Sequence, residues 1–229
     1  MKRLSLGFLP IALLVSASCA MAVPEVAAQT KAAKPAKAKG KMQELVIGGG
    51  CFWCLEPLFE DLIGVEDVEV AYAGGESTKV TYRDVCSGTT GHAEALKIKF
   101  DPAVITAREL LTMFMVLHDP TTKDRQGGDV GPQYRSVVFY SDDATRDLAR
   151  SVFEDITAKK IWKNPIVTTL EPLKNYVRAE EYHQDYYEKF AKASDAERAT
   201  MNAGYCSAIV EPKVVKFRKE YAAKLKKKG

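Results

Sequence analysis

Downstream of residue 43 the apolar positions switch repeatedly between the period of a strand and the period of a helix. Residues 44–47, "ELVI", form a short aliphatic strand signal, and "WCLEPLFEDLIG" carries apolar residues at helical spacing up to Gly64. The pattern predicts a strand, a glycine turn and a helix leaving it. "VEDVEVAYAGG" and "HAEALKIKFDP" alternate as strands, "TARELLTMFMVLH" is an amphipathic helix, and "YRSVVFYS" is a further strand. "DDATRDLARSVFEDITAKK" reads as a helix with an Asp-rich start, "PIVTTLEP" as a strand and "AEEYHQDYYEKFAK" as a helix. Helices and strands alternate irregularly, which favours an α+β sandwich with a mixed central sheet over a strictly doubly wound one.

The pattern breaks at both ends. Residues 4–15 are apolar behind Lys2 and Arg3, too few to span a bilayer, and Ala20-Met21-Ala22 follows, so residues 1–22 read as a secretory signal. Export to the periplasm is the expectation, with lipid anchorage through Cys19 as the minor alternative. Residues 23–42 are rich in Ala, Lys and Pro without apolar periodicity and read as a disordered tether. The folded domain is expected over 43–212 and a basic tail over 213–229, where cations suit the end of a helix.

Charge changes the picture once it is divided. The 229 residues sum to +3, but seven of the 33 basic residues and one of the 30 acidic ones precede residue 42, so the remainder carries −3. A groove that tracks nucleic acid needs its own basic surface, so nucleic-acid binding has little support. The length suits one core, and a monomer with no stable membrane span is expected.

The chemistry gathers in "GGGCFWCLE", residues 48–56. Cys51 falls where the glycine turn becomes a helix, and unpaired N–H groups at a helix start lower a thiol's pKa toward that of a nucleophile. A buried, inert cysteine is the ordinary alternative. Three glycines allow close approach of a substrate, and Phe52 and Trp53 supply an apolar wall. Cys54 lies one helical turn on, within reach of a disulfide. Zinc is disfavoured because no second Cys or His pair has ligand spacing. Downstream, Glu94 stands at the mouth of a strand, where a carboxyl among apolar groups becomes an acid able to donate at neutral pH. On an edge strand it is instead a plain surface acid. Tyr82 offers a hydroxyl, and the Gly-rich loop 124–136 carries Asp129 and Tyr134. Cys206 sits in "NAGYCSAIVEP", read as a flexible segment; Cys86 is read as inert, and His92, His118 and His183 as packing groups, His183 near the active centre.

Together "GGGCFWCLE", "GVEDVEVAYAGG", "TYRDVCSGTTGHAEALKIKFDP", "LHDPTTKDRQGGDVGPQYRSVVFY", "EPLKNYVRAEEYHQDYY" and "GYC" resemble the A-type methionine sulfoxide reductases. The resemblance covers about residues 44–210 and implies a ferredoxin-like α/β sandwich with an extended C-terminal segment. It makes Cys51 the nucleophile on the sulfoxide sulfur, Phe52 and Trp53 the enclosure of the methyl group, and Glu94 the acid for the oxygen. It sets Tyr82, Asp129 and Tyr134 around that oxygen and the substrate backbone, and makes Cys206 the resolving thiol; Cys54, where many family members have Gly, departs from the pattern and leaves open whether it resolves first, relays or only packs. It implies no cofactor or metal, methionine sulfoxide in proteins or peptides as substrate, and a thioredoxin-like protein or dithiol as electron donor. A general C-x-x-C thiol–disulfide oxidoreductase and a non-catalytic binder of methionine side chains are the competing readings.

Overall fold

The computed structural model describes residues 41–227; the proposed signal peptide, nearly all of the tether and Cys19 lie outside the described residues. Strands β1 (Gln43–Gly49), β2 (Val65–Ala73) and β3 (Ala93–Phe100) form the centre of a six-stranded sheet. The small hairpin β4 (Arg125–Gln126) and β5 (Asp129–Val130) stands apart. Strands β6 (Ser136–Tyr140), β7 (Thr169–Pro172) and β8 (Val177–Arg178) complete the sheet in the order β7-β6-β1-β3-β2-β8. Only β6 and β7 run parallel, so the sheet is mixed, as the irregular alternation of elements predicts.

The strands bury both faces unequally. Leu45 and Ile47 of β1, Val68, Val70 and Tyr72 of β2, and Leu96, Ile98 and Phe100 of β3 point into the large core. Val46, Ala93, Ala95, Val137 and Phe139 form a smaller cluster on the other face, closed by Leu173 and Tyr176. The large core is covered by α1 (Phe52–Glu60), α3 (Ala107–Leu117), α4 (Asp143–Ala158), α5 (Tyr186–Lys192) and α8 (Glu211–Glu220). The short helices α2 (Tyr82–Cys86), α6 (Asp195–Arg198) and α7 (Ala203–Tyr205) lie between them.

Helix starts follow local chemistry. Thr106 and Glu109 form a reciprocal capping box on α3, and Asp142 accepts from Thr145 N–H at the start of α4. The helix expected over "AEEYHQDYYEKFAK" is shorter than its pattern. Residues 181–185 are turns, Asp185 has φ 52°, and α5 begins at Tyr186 because buried Glu56 accepts the N–H groups of Asp185 (2.7 Å) and Tyr186 (3.2 Å). Conversely "TYRDVC", assigned no helix from its pattern, forms α2 behind the Thr81/Asp84 capping box.

The chain beyond Gly204 is helical. A π-helical turn, Cys206–Val210, leads from α7 directly into α8, which buries Val214 and Phe217 against α1. Arg218 pairs with Asp61 at 2.7 Å, and Leu225 bridges to Leu62. Among the described residues no helix is long and apolar enough to cross a membrane.

Candidate active site

β1 ends in the glycines and delivers Cys51 to the N-terminal boundary of α1. Gly50 has φ 96°, a conformation that favours glycine, and a Cβ there would stand 2.6 Å from Gln126. A Cβ on Gly48 would stand 2.6 Å from the carbonyl oxygen of Glu94. The glycines therefore serve the approach of the chain to itself, where the sequence suggests room for a substrate.

Glu94 lies on the central strand β3, not on an edge, and is 1% exposed. Its Oε2 accepts the Phe52 N–H at 3.0 Å. Burial outweighs that bond and pushes its pKa up to about 8, so at neutral pH it is a carboxylic acid with its second oxygen free to carry the proton. The same bond changes the reading of Cys51. The helix-start N–H expected to face sulfur is taken by Glu94, and Cys54 N–H bonds to the Cys51 carbonyl at 3.0 Å. Cys51 is 8% exposed, and burial, the hydrogen bond to Cys54 and nearby Glu94 hold its thiol well above the usual range. Cys54 moves the other way: its hydrogen bond with Cys51 pushes it down to about 7 against the effect of burial. Of the two thiols, Cys54 is the more acidic.

Aromatic rings wall the sulfur. Trp53 stacks on Tyr186 at 3.8 Å between centroids and 9° between planes, and Phe52 packs against Trp53, Tyr72 and His183. His183 also touches Trp53 and Tyr82, and burial holds it neutral down to about 4, consistent with a packing role. Tyr82 and Tyr134 are half-buried, and burial keeps both phenols protonated. Tyr82 is oriented by its N–H bond to Glu180 (2.8 Å) and by contact with Cys86. Asp129, on β5, accepts from Tyr205 at 2.7 Å.

Cys206 differs most from its expected setting. It starts the π-helical turn, is wholly buried, and has Cys54 as its nearest-acting thiol; burial pushes it up to about 11. Three groups around the thiols escaped the sequence reading: Tyr205, Tyr186 and half-buried Lys213, which acts electrostatically on Cys54, Cys51 and Asp129. "GYC" and "DYY" contain the two tyrosines, but pattern alone marks neither.

Together these features define a class: oxidoreductases that attack through a cysteine sulfur while a neutral carboxylic acid protonates the group being displaced. The family model of peptide methionine sulfoxide reductase matches residues 43–225, and the chain belongs to that family. The MsrA of Granulibacter bethesdensis is 44% identical over 181 residues, 79% of this chain and 92% of the relative. That of Deinococcus radiodurans is 42% identical over 184 residues, 80% of this chain and 84% of the relative. Mxr1 of Saccharomyces cerevisiae in reduced form is similar with TM-score 0.61 and 38% identity, covering 72% of this chain and 93% of that one. Methionine sulfoxide reductase A of Corynebacterium diphtheriae gives 0.58 and 33%, covering 67% and 77%. Among the described residues there is no cluster of three or more His, Cys, Asp or Glu suited to a metal ion.

Proposed function

We propose that the protein reduces the S epimer of methionine sulfoxide, free or within proteins, to methionine. The observation that carries this reading is Glu94, buried and kept neutral beside Cys51. Sulfoxide sulfur yields to a thiolate as its oxygen gains a proton, so nucleophile and acid must act on the same bound group. Cys51 passes its proton to Cys54 and attacks the sulfur; Glu94 protonates the oxygen. The S–O oxygen ends on Cys51 as sulfenic acid, and methionine leaves. Phe52 and Trp53 enclose the methyl group, Tyr82 and Tyr134 hold the oxygen, and Asp129 meets the substrate backbone. The test is a purified enzyme supplied with dithiothreitol and each epimer of a methionine sulfoxide peptide: S is expected to be consumed and R spared. Equal consumption overturns the reading, since one chiral pocket cannot set both methyl groups against Trp53 and both oxygens against Glu94.

The geometry favours Cys54 for the first disulfide. Its thiol hydrogen-bonds with that of Cys51 and is lowered to about 7, whereas burial pushes Cys206 up to about 11. Cys54 condenses with the sulfenic acid, releasing water, and Cys206 then attacks Cys54, freeing Cys51 and forming Cys54–Cys206 for a thioredoxin-like dithiol to reduce. A general thiol–disulfide exchange enzyme needs no Glu94, which makes that alternative the weaker one. The leader sequence supports export to the periplasm. An intact mass beginning after Ala22 is the expected result, and a lipidated Cys19 would replace it with membrane anchorage.

A further inference from the structure

The C-terminal helical run brings to the site a group that this reaction does not use. Tyr205, the last residue of α7, sets its ring edge-on to Trp53, with centroids 6.2 Å apart. Its hydroxyl donates to Asp129 Oδ2 at 2.7 Å and lies 3.3 Å from Cys54 Sγ. The phenol therefore has two neighbours able to carry negative charge and a single proton to offer them. While the short bond to Asp129 is made, the O–H is committed to the carboxylate and its full charge-stabilising bond is not available to the Cys54 sulfur 3.3 Å away. If Asp129 is taken by another donor, the O–H is free to turn to sulfur, and a hydrogen bond to the charged form favours the thiolate.

We propose that Tyr205 is a positioning residue with two alternative acceptors: Asp129 holds its hydroxyl in the resting site, and the substrate backbone, by engaging Asp129, passes that hydroxyl to the Cys54 sulfur. The coupled pair then holds its first proton more weakly when the site is filled. The inference rests on the substrate-facing role given to Asp129 above. Glu94 from β3, Tyr134 ahead of β6, Cys206 from the π-helical turn and Lys213 from α8 also act on the pair or on its neighbours. Among the described residues, Tyr205 alone hydrogen-bonds both Cys54 and Asp129. It also precedes Cys206 directly, so release of its ring from Asp129 acts on the turn that carries the third thiol.

The experiment needs no substrate. The reduced full-length protein is alkylated with iodoacetamide across pH, and the modification of Cys51 and Cys54 is read separately by peptide mass spectrometry. Asp129→Ala, which frees the hydroxyl, is expected to lower the alkylation midpoint of the pair by about one pH unit. In a Tyr205→Phe background the same change should lower it by less than half as much, since only the lost carboxylate charge remains to act. A drop at least half as large in the Phe background overturns the proposal. An unchanged midpoint in Asp129→Ala alone overturns it as well, without requiring the Tyr205 variant to fold. Because nothing is turned over, failure here is separate from failure of the reductase reading, which epimer consumption reports.

Discussion

Glu94 illustrates how one side chain's environment sets its chemistry. The residue type and its strand position are plain in the sequence, but the choice between surface acid and proton donor depends on the neighbours of β3, and those come from β1 and β2. Its pKa near 8 gives the reaction a basic limit: as pH rises through that value the acid is lost, and the rate of sulfoxide reduction should fall. Glu94→Gln keeps the shape and removes the proton, so a single-turnover rate lower by about 10²-fold is expected, with the basic limb flattened. A variant within a few-fold of wild type would assign protonation elsewhere. Cys51 shows the limit of local reasoning more sharply. A helix start predicts an acidic thiol there, but the first N–H is claimed by Glu94, 42 residues away in the chain, and burial prevails. Cys54 receives the benefit. Trapping one turnover in Cys206→Ser should therefore yield a Cys51–Cys54 disulfide, whereas Cys54→Ser should accumulate sulfenic acid at Cys51. Mass spectrometry distinguishes the two, and a Cys51–Cys206 bond formed readily in Cys54→Ser would restore Cys206 as the first partner.

Elements whose ends are capped by nearby residues are legible in the sequence, and those capped from afar are not. The starts of α3 and α4 follow from Thr106, Glu109 and Asp142, all local. The start of α5 depends on Glu56, a residue of α1 more than 120 positions earlier, so periodicity alone extends the helix too far. That cap carries a pH signature. Burial raises Glu56 to about 8, against about 4.3 for an unfolded glutamate, so the folded state holds a proton that the unfolded chain gives up. Its contribution to stability is complete below about 4.3 and is lost as pH rises toward 8. Relative to Glu56→Gln, the wild type should lose stability between about pH 5 and 8, read as the shift in urea midpoint; parallel curves would sink this assignment. His118 works in the opposite direction. Held neutral down to about 4 between Phe114 O and Ser136 Oγ, it costs stability as pH falls below about 6.5, where the unfolded chain gains a proton.

Across the molecule, the α+β class and the existence of the central strands emerge from the patterns in β1, β2, β3 and β6, while their order in the sheet does not. The two-residue strands and the C-terminal run do not: β8 is too short to show a period, and α8 has a mostly charged sequence with two buried apolar positions. Yet α8 closes the core behind the thiols. Phe217 is 2% exposed, and its replacement by Ala should cost about 3–5 kcal/mol, measured by chemical denaturation. A loss below about 1 kcal/mol would mean that α8 is a dispensable appendage. Lys213 and Tyr205 reach the site from this same run, so the fold and the chemistry share one support that composition presents only as basic charge.

The ends of the sheet have a further consequence. β8 contributes two residues, with Arg178 engaged by Glu69 and Glu181, and β7 contributes four, closing on Pro172 with Glu171 held by Arg135. Oxidised methionines loosen the proteins that contain them, and loosened chains expose unpaired strands seeking a partner. A repair enzyme with long, apolar sheet margins would be recruited into the aggregates it meets. Short margins guarded by ion pairs and a proline leave such chains nowhere to add, so damaged clients can be handled one side chain at a time without joining the sheet.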